Sequence, residues 1–205
     1  MNKPVMIESS YLVQAARQFA ETCLPDFRHT QQVTRIALRL FDELAELHGM
    51  GVQERIWLEI SGLLCDVGLT EGWRGHHKAS LNIILNSPLL PLDHHQRLLI
   101  GSTARYHRRA MPSLKHDHYA ALEANDQLRV NWLGGILRLA DGLDCTHQGR
   151  VIDVQCKTNQ KKVVVRCLVQ TDAEEEESEG NSRSDLLRMT SNREIQIKVR
   201  LADKG

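Results

Sequence analysis

The spacing of the apolar residues changes once along this chain, and that change limits what it can fold into more than any other feature. Over residues 10 to about 144, apolar side chains recur every three or four positions, which is the helical period. The clearest stretch is 28–48, where Val33, Ile36, Ala37, Leu40, Phe41, Leu44 and Leu47 fall on one face. Residues 53–66 turn Ile56, Trp57, Ile60, Leu63 and Leu64 inward, with Gly68 as the expected stop. A short helix over 77–86 is closed by Pro88 and Pro91. Asp93 followed by Gln96 has capping-box spacing and predicts a helix over 94–107, with Pro112 ending that segment. The period resumes over 126–143 through Leu128, Trp132, Ile136, Leu139 and Ala140.

Past Gly149 the pattern becomes alternating, in Val151 to Val154, Val163 to Val169, and Ile195, Ile197, Val199 and Leu201. Between the last two runs, 173–192 reads as a loop or a helix joining two strands, and its four glutamates, Glu174 to Glu177, as a solvated face or a mobile loop. The expected fold is therefore mainly α: a bundle of about six helices over 1–149, and a small C-terminal α+β unit of about three strands over 150–205.

Composition excludes several function classes. Lysine plus arginine (26) equals aspartate plus glutamate (26), so no overall field favours DNA or an anionic membrane. The five cysteines are odd in number, dispersed and without a C-x-x-C pair, which indicates neither a disulfide framework nor a zinc ribbon and fits a reducing cytoplasm. The N-terminal residues carry no apolar stretch of signal length, and no later run approaches a spanning helix.

Metal-ligand residue types fall at the ends of the expected helices: His29, the pair Cys65 and Asp66, the pair His76 and His77, His107, and Asp141. One helix can offer only neighbours three or four apart, so a cation between helices needs ligands converging from several of them. Placement at helix ends lets such side chains meet in one layer. The plain alternative is a buried, hydrogen-bonded trio of His29, Asp66 and Asp141.

With these residues in order, the chain resembles the HD superfamily of metal-dependent phosphohydrolases, whose fold is a helical bundle. More narrowly, Leu63 to Leu69, His76-His77-Lys78 with Ser80, Asn86-Ser87, Ala104 to Arg108 and Leu137 to Asp144 are similar to the C-terminal portion of the Ppx/GppA exopolyphosphatase and pentaphosphate phosphohydrolase family. The strands after Val151 resemble that family's small C-terminal unit.

The resemblance implies a divalent metal (Mn, Mg, Zn or Fe) held by His29, Asp66 and Asp141, with Cys65 standing where the superfamily has a histidine. A thiolate there would favour zinc or ferrous iron over the harder ions. A buried cysteine at a helix end is equally a small apolar residue. Asp66, His77 and His107 are the implied catalytic set, the two histidines serving a second metal or the phosphate. Lys78, Arg105, Arg108 and Arg138, with Arg109, supply charge for a phosphorylated ligand, whether nucleotide, phosphate ester or polyphosphate. The family's phosphate-releasing site lies in an actin-like N-terminal half, and no matching glycine-rich phosphate loops occur here, so that route is not expected. The readings that remain are a phosphohydrolase and a non-catalytic regulatory or binding module, with homodimerisation open. His76 is read as a surface neighbour of His77, His94 and His95 as solvent-facing, Trp57 and Trp132 as core, and Trp73 as part of a lid. His116, His118 and His147 carry no usable pattern.

Overall fold

A computed structural model describes residues 3–202. The ends of the two-unit expectation, residues 1–2 and 203–205, lie outside the described residues, as do the first two positions of the stretch read as lacking a leader. In chain order the helical part contains α1 (Lys3–Cys23), α2 (Arg28–Glu43), α3 (Ala45–His48), α4 (Val52–Leu64), a 3-10 turn (Val67–Glu71), α5 (His76–Asn86), α6 (His94–Arg105), α7 (Asp117–Ala120) and α8 (Ala124–Gly142). The C-terminal part follows as β1 (Val151–Thr158), β2 (Lys162–Val169), α9 (Glu174–Ser182), α10 (Asp185–Ser191) and β3 (Glu194–Leu201). The chain is thus mainly α with a small three-stranded unit. No helix among the described residues is long and apolar enough to cross a membrane.

α8 is the axis of the bundle. Its second half, from Leu133 to Gly142, is buried on every side, packed against α2, α4, α6, α9 and α10. A Cβ at Gly135 would stand 3.0 Å from the backbone nitrogen of Leu187, so only glycine lets α10 dock this closely. Trp57 and Trp132 are buried as expected, and one apolar core runs without a break from Leu12 to Ile197.

The expected helix over 28–48 is interrupted at Leu44, which leaves helical geometry (φ −101°, ψ 10°). At the break the carbonyl of Phe41 keeps a longer bond from Leu44 N (3.3 Å) and gains one from His48, whose Nε2 donates to Phe41 O at 2.9 Å while Nδ1 accepts from Met50 N at 2.9 Å. Periodicity cannot register such a local exchange of partners. The capping box that starts α6 forms as expected, with Gln96 N donating to Asp93 Oδ1 (2.8 Å) and Asp93 N donating to Gln96 Oε1 (3.1 Å). His95, read as solvent-facing, ties α6 to α8 through Nε2 and Asp126 Oδ2 at 2.7 Å.

In the C-terminal sheet, ordered β1-β2-β3, β1 pairs antiparallel with β2, and β2 pairs parallel with β3. A parallel pair needs a long crossover, which α9 and α10 provide. The glutamate run opens α9 and is not simply solvated. Glu176 is fully buried, accepting from Thr146 Oγ1 and from Arg150 Nη1, and Glu177 Oε2 accepts from Val199 N at 3.0 Å.

Candidate functional site

Five helix termini converge on one buried layer. His29 lies in the first turn of α2, Asp66 just beyond α4, His76 opens α5, His107 follows α6, and Asp141 lies in the last turn of α8. All five side chains are buried.

His29 is held from behind by Asp144. Its Nδ1 donates to Asp144 Oδ2 at 2.7 Å, and Asp144 Oδ1 in turn accepts from Gly149 N at 2.8 Å. The His29 ring stacks on His147, with centroids 3.6 Å apart and planes 7° from parallel. Nε2 then faces Asp141 Oδ1 at 3.3 Å and Asp66 Oδ2 at 3.7 Å.

The histidines on the other side of Asp66 follow the same plan. His76 Nδ1 donates to Trp73 O at 2.9 Å, and His107 Nδ1 donates to Ala104 O at 2.5 Å. Each donation assigns the ring proton to Nδ1 and leaves Nε2 with a lone pair. Both Nε2 atoms face Asp66 Oδ1, His76 at 3.3 Å and His107 at 3.5 Å, and neither has an aligned hydrogen-bond partner. Lone pairs gathered around a buried carboxylate oxygen repel unless a proton or a metal cation lies between them. Ligating histidines commonly hand their second ring N–H to a carbonyl or carboxylate in this way.

Charge on these groups follows from their neighbours. Burial alone would lower His29, but Asp141, Asp144 and Asp66 outweigh it and raise it to about 9. For Asp66, burial is overcome by His76, His107 and His29, and the carboxyl is held below its ordinary range. Asp141 is likewise held below its ordinary range, with burial opposed by His29, His107, Arg108 and Arg183. Burial pushes His107 down, whereas in His76 burial is outweighed by Asp66 and the Trp73 carbonyl, which raise it.

Asp141 divides its two oxygens. Oδ2 accepts from Arg108 Nε at 3.1 Å and from Arg183 Nη1, while Oδ1 is left to His29. Cys65 is buried, its thiol donating to Gly62 O at 3.2 Å, and burial together with Asp66 and Asp141 pushes its pKa well above the ordinary thiol value. Its sulfur and ligand atoms of Asp66 and His107 nevertheless lie within 4.8 Å of one another, as do those of His29, Asp66 and Asp141. Asp66 is common to both groups.

Beside this layer opens a cleft of about 1250 Å³. Its walls carry His76, His77, Lys78, Arg105, Arg108 and Trp73, the tryptophan 65% exposed with the Arg108 guanidinium 5.6 Å from its ring centroid. His77 turns to this wall and is lowered to about 4 by burial, then by Arg105, His107, His76 and Lys78. Arg138 sits elsewhere, buried between α8 and α10, its Nη1 donating to both oxygens of Asp185 at 3.0 and 3.1 Å.

Of the residues singled out from sequence, His29, Cys65, Asp66, His107 and Asp141 come together, Lys78, Arg105, Arg108 and His77 line the cleft, and Arg138 is engaged by Asp185. The sequence reading had His76 at the surface. It is buried against Asp66 instead, because α5 begins there and its first residue faces the bundle. Asp144 could have been suspected from its i,i+3 spacing to Asp141. Arg183 and His147 had no signal, since they reach the layer from turns after α9 and α8.

A family model described as Ppx/GppA phosphatase, domain III, matches residues 13–186. No curated protein matches the chain.

Proposed function

The chain belongs to the Ppx/GppA phosphatase domain III family, and on that footing we propose that it is an HD-type phosphohydrolase-like protein that takes a phosphorylated ligand at a divalent-metal site. The observation that carries this reading is the pair of orphaned nitrogens, His76 Nε2 and His107 Nε2, aimed at the buried Asp66 carboxylate. The donor set fits a divalent ion: His29 Nε2, His76 Nε2, His107 Nε2, Asp66 as the shared carboxylate and Asp141 through Oδ1. Imidazole and carboxylate suit Mn²⁺, Fe²⁺ or Zn²⁺. Such an ion would act as a Lewis acid and lower the pKa of a bound water.

The protein groups have separable tasks. Asp144 and the carbonyls of Trp73 and Ala104 fix the three imidazoles in the tautomer that leaves Nε2 free. Arg108 and Arg183 hold Asp141 by one oxygen and present the other. His77, neutral at the cleft wall, can exchange a hydrogen bond with a bound ligand, and Lys78 and Arg105 can hold phosphate oxygens. Cys65 as a thiol fills space behind Asp66. The helical and strand-containing parts, 1–149 and 150–205, form one working unit in this reading, because Arg183 from the second part touches Asp141 from the first.

A second reading, a module that binds a phosphorylated ligand without cleaving it, draws support from the same layer. Arg108 and Arg183 already neutralise Asp141, and the expected histidine before Asp66 is a thiol. Metal analysis of protein purified without chelator, followed by phosphate release from nucleotides, (p)ppGpp-like compounds and polyphosphate, separates the two. Hydrolysis requires bound metal and disappears in Asp66→Ala. Metal-free, inert protein leaves the binding module, and activity unchanged in Asp66→Ala removes the site assignment altogether.

A further inference from the structure

The cleft holds two kinds of cation. Arg108 is committed, its Nε on Asp141 Oδ2 at 3.1 Å. Arg105, one helical turn earlier, is not. It is 6% exposed, its Nη1 has no partner, and it forms no ion pair with any carboxylate among the described residues. Its guanidinium lies over the Tyr106 ring, 5.9 Å from the centroid. A buried guanidinium without an anion is costly, and chains retain one where a counter-charge arrives from outside.

The counter-charge has one way in. Arg105 lines the cleft with Lys78, Arg109 and Arg74, and Glu71 is the one carboxylate among the lining residues. Arg109 sits at the rim in a left-handed backbone conformation (φ 59°) and is likewise unpaired among the described residues. Non-glycine residues held in that region cluster at ligand clamps. The His77 ring packs edge-on against His76 with centroids 5.4 Å apart, and His76 in turn faces Asp66. Asp66 and Asp141 are held by His29, His76, His107, Arg108 and Arg183, and Arg105 pairs with neither, so an anion on Arg105 is not on the carboxylate layer.

We propose that Arg105, with Lys78 and Arg109 at its mouth, forms a subsite for a second, non-reacting phosphoryl group, so that the preferred ligand carries two phosphoryl groups, one at the metal layer and one here. This rests on the reading of a phosphorylated ligand, yet the subsite is a property of the cleft and binds its anion without metal. Guanidinium recognition of phosphate is bidentate through two of its oxygens, so chloride, which has none, is the control for charge alone.

The test is a thermal-shift and calorimetric titration of the chelator-treated protein with inorganic phosphate, pyrophosphate and chloride. Wild type is expected to bind phosphate, to bind pyrophosphate more tightly, and to bind chloride more weakly than either. Arg105→Met keeps the volume and removes the unpaired charge. It should fold at least as stably without ligand and bind phosphate about tenfold more weakly or worse. Should that variant not fold, Lys78→Gln, at an exposed position, is expected to weaken phosphate binding several-fold while leaving the unliganded melting temperature unchanged. Absence of phosphate or pyrophosphate binding to wild type, equal binding of chloride, or undiminished binding in the variants overturns the subsite. The proposed metal chemistry fails separately, through metal analysis: a protein that binds phosphate but no metal keeps the subsite and loses the hydrolase.

Discussion

Gly68→Ala is the sharpest structural test of how the candidate centre is built. A Cβ at Gly68 would stand 2.2 Å from His76 O, 2.4 Å from Ser80 N and 2.8 Å from Ala79 Cβ. Ordinary contacts are about 3.5–4.0 Å, and two of these three partners are backbone, so no side-chain rotation relieves the clash. The first turn of α5 must move by more than about 1 Å, or the 3-10 turn must unwind. Overpacking of this kind costs about 1–3 kcal/mol. Separating the elements also breaks the bond from Gly68 N to Ser80 Oγ (2.9 Å), worth about 1 kcal/mol. The stiffer unfolded chain of alanine returns only about 0.4–1 kcal/mol. A net loss of about 1–3.6 kcal/mol, at roughly 2–4 °C per kcal/mol for a chain of this size, lowers the melting temperature by about 2–14 °C. Because the first residue of α5 is His76, the same shift withdraws Nε2 from Asp66, and stabilisation by added Mn²⁺ or Zn²⁺ should shrink with it. Calorimetric melts with and without metal read both effects. A variant that melts within about 2 °C of wild type and keeps its metal response would refute the close docking of the turn on α5.

Three further outcomes follow from the same layer. His76→Ala should abolish most of the metal-dependent rise in melting temperature, about 2.7 kcal/mol at a hundredfold excess over the dissociation constant, while His77→Ala preserves it; the reverse order would return the ligand role to His77. Arg183→Gln leaves the Asp141 carboxylate with Arg108 as its remaining guanidinium partner, should cost about 1–3 kcal/mol in urea unfolding, and should weaken metal binding through loss of Asp141 orientation. In chelator, His29 contributes stability because its folded pKa, about 9, lies above the unfolded value of 6.5. That contribution is complete below pH 6.5 and is lost as pH rises through 9, on the order of 3 kcal/mol. Saturating metal, by occupying Nε2, should flatten this slope, and identical pH profiles with and without metal would show that His29 is no ligand.

The residues themselves determined the fold class and the cast of the site. A three- to four-residue apolar period up to about residue 144 and alternation after 149 can be satisfied only by a helical bundle followed by strands, since burial of an apolar face is what either pattern serves. Ordered His29, Asp66, His107 and Asp141, each at a helix end, were readable as a converging set because termini are where a bundle brings separate helices into one plane. Tertiary structure decided what depends on angle and distance between elements. It chose His76 over its neighbour for contact with Asp66, because adjacent helical residues diverge by about 100° around the axis and only docking against the 3-10 turn sets which one faces inward. It brought Arg183 across from the turn between α9 and α10 onto Asp141, buried Arg105 without an anion, and interrupted the helix at Leu44. Each of these is a pairing of groups distant in sequence or a local exchange of hydrogen bonds, and neither leaves a trace in the period of the chain.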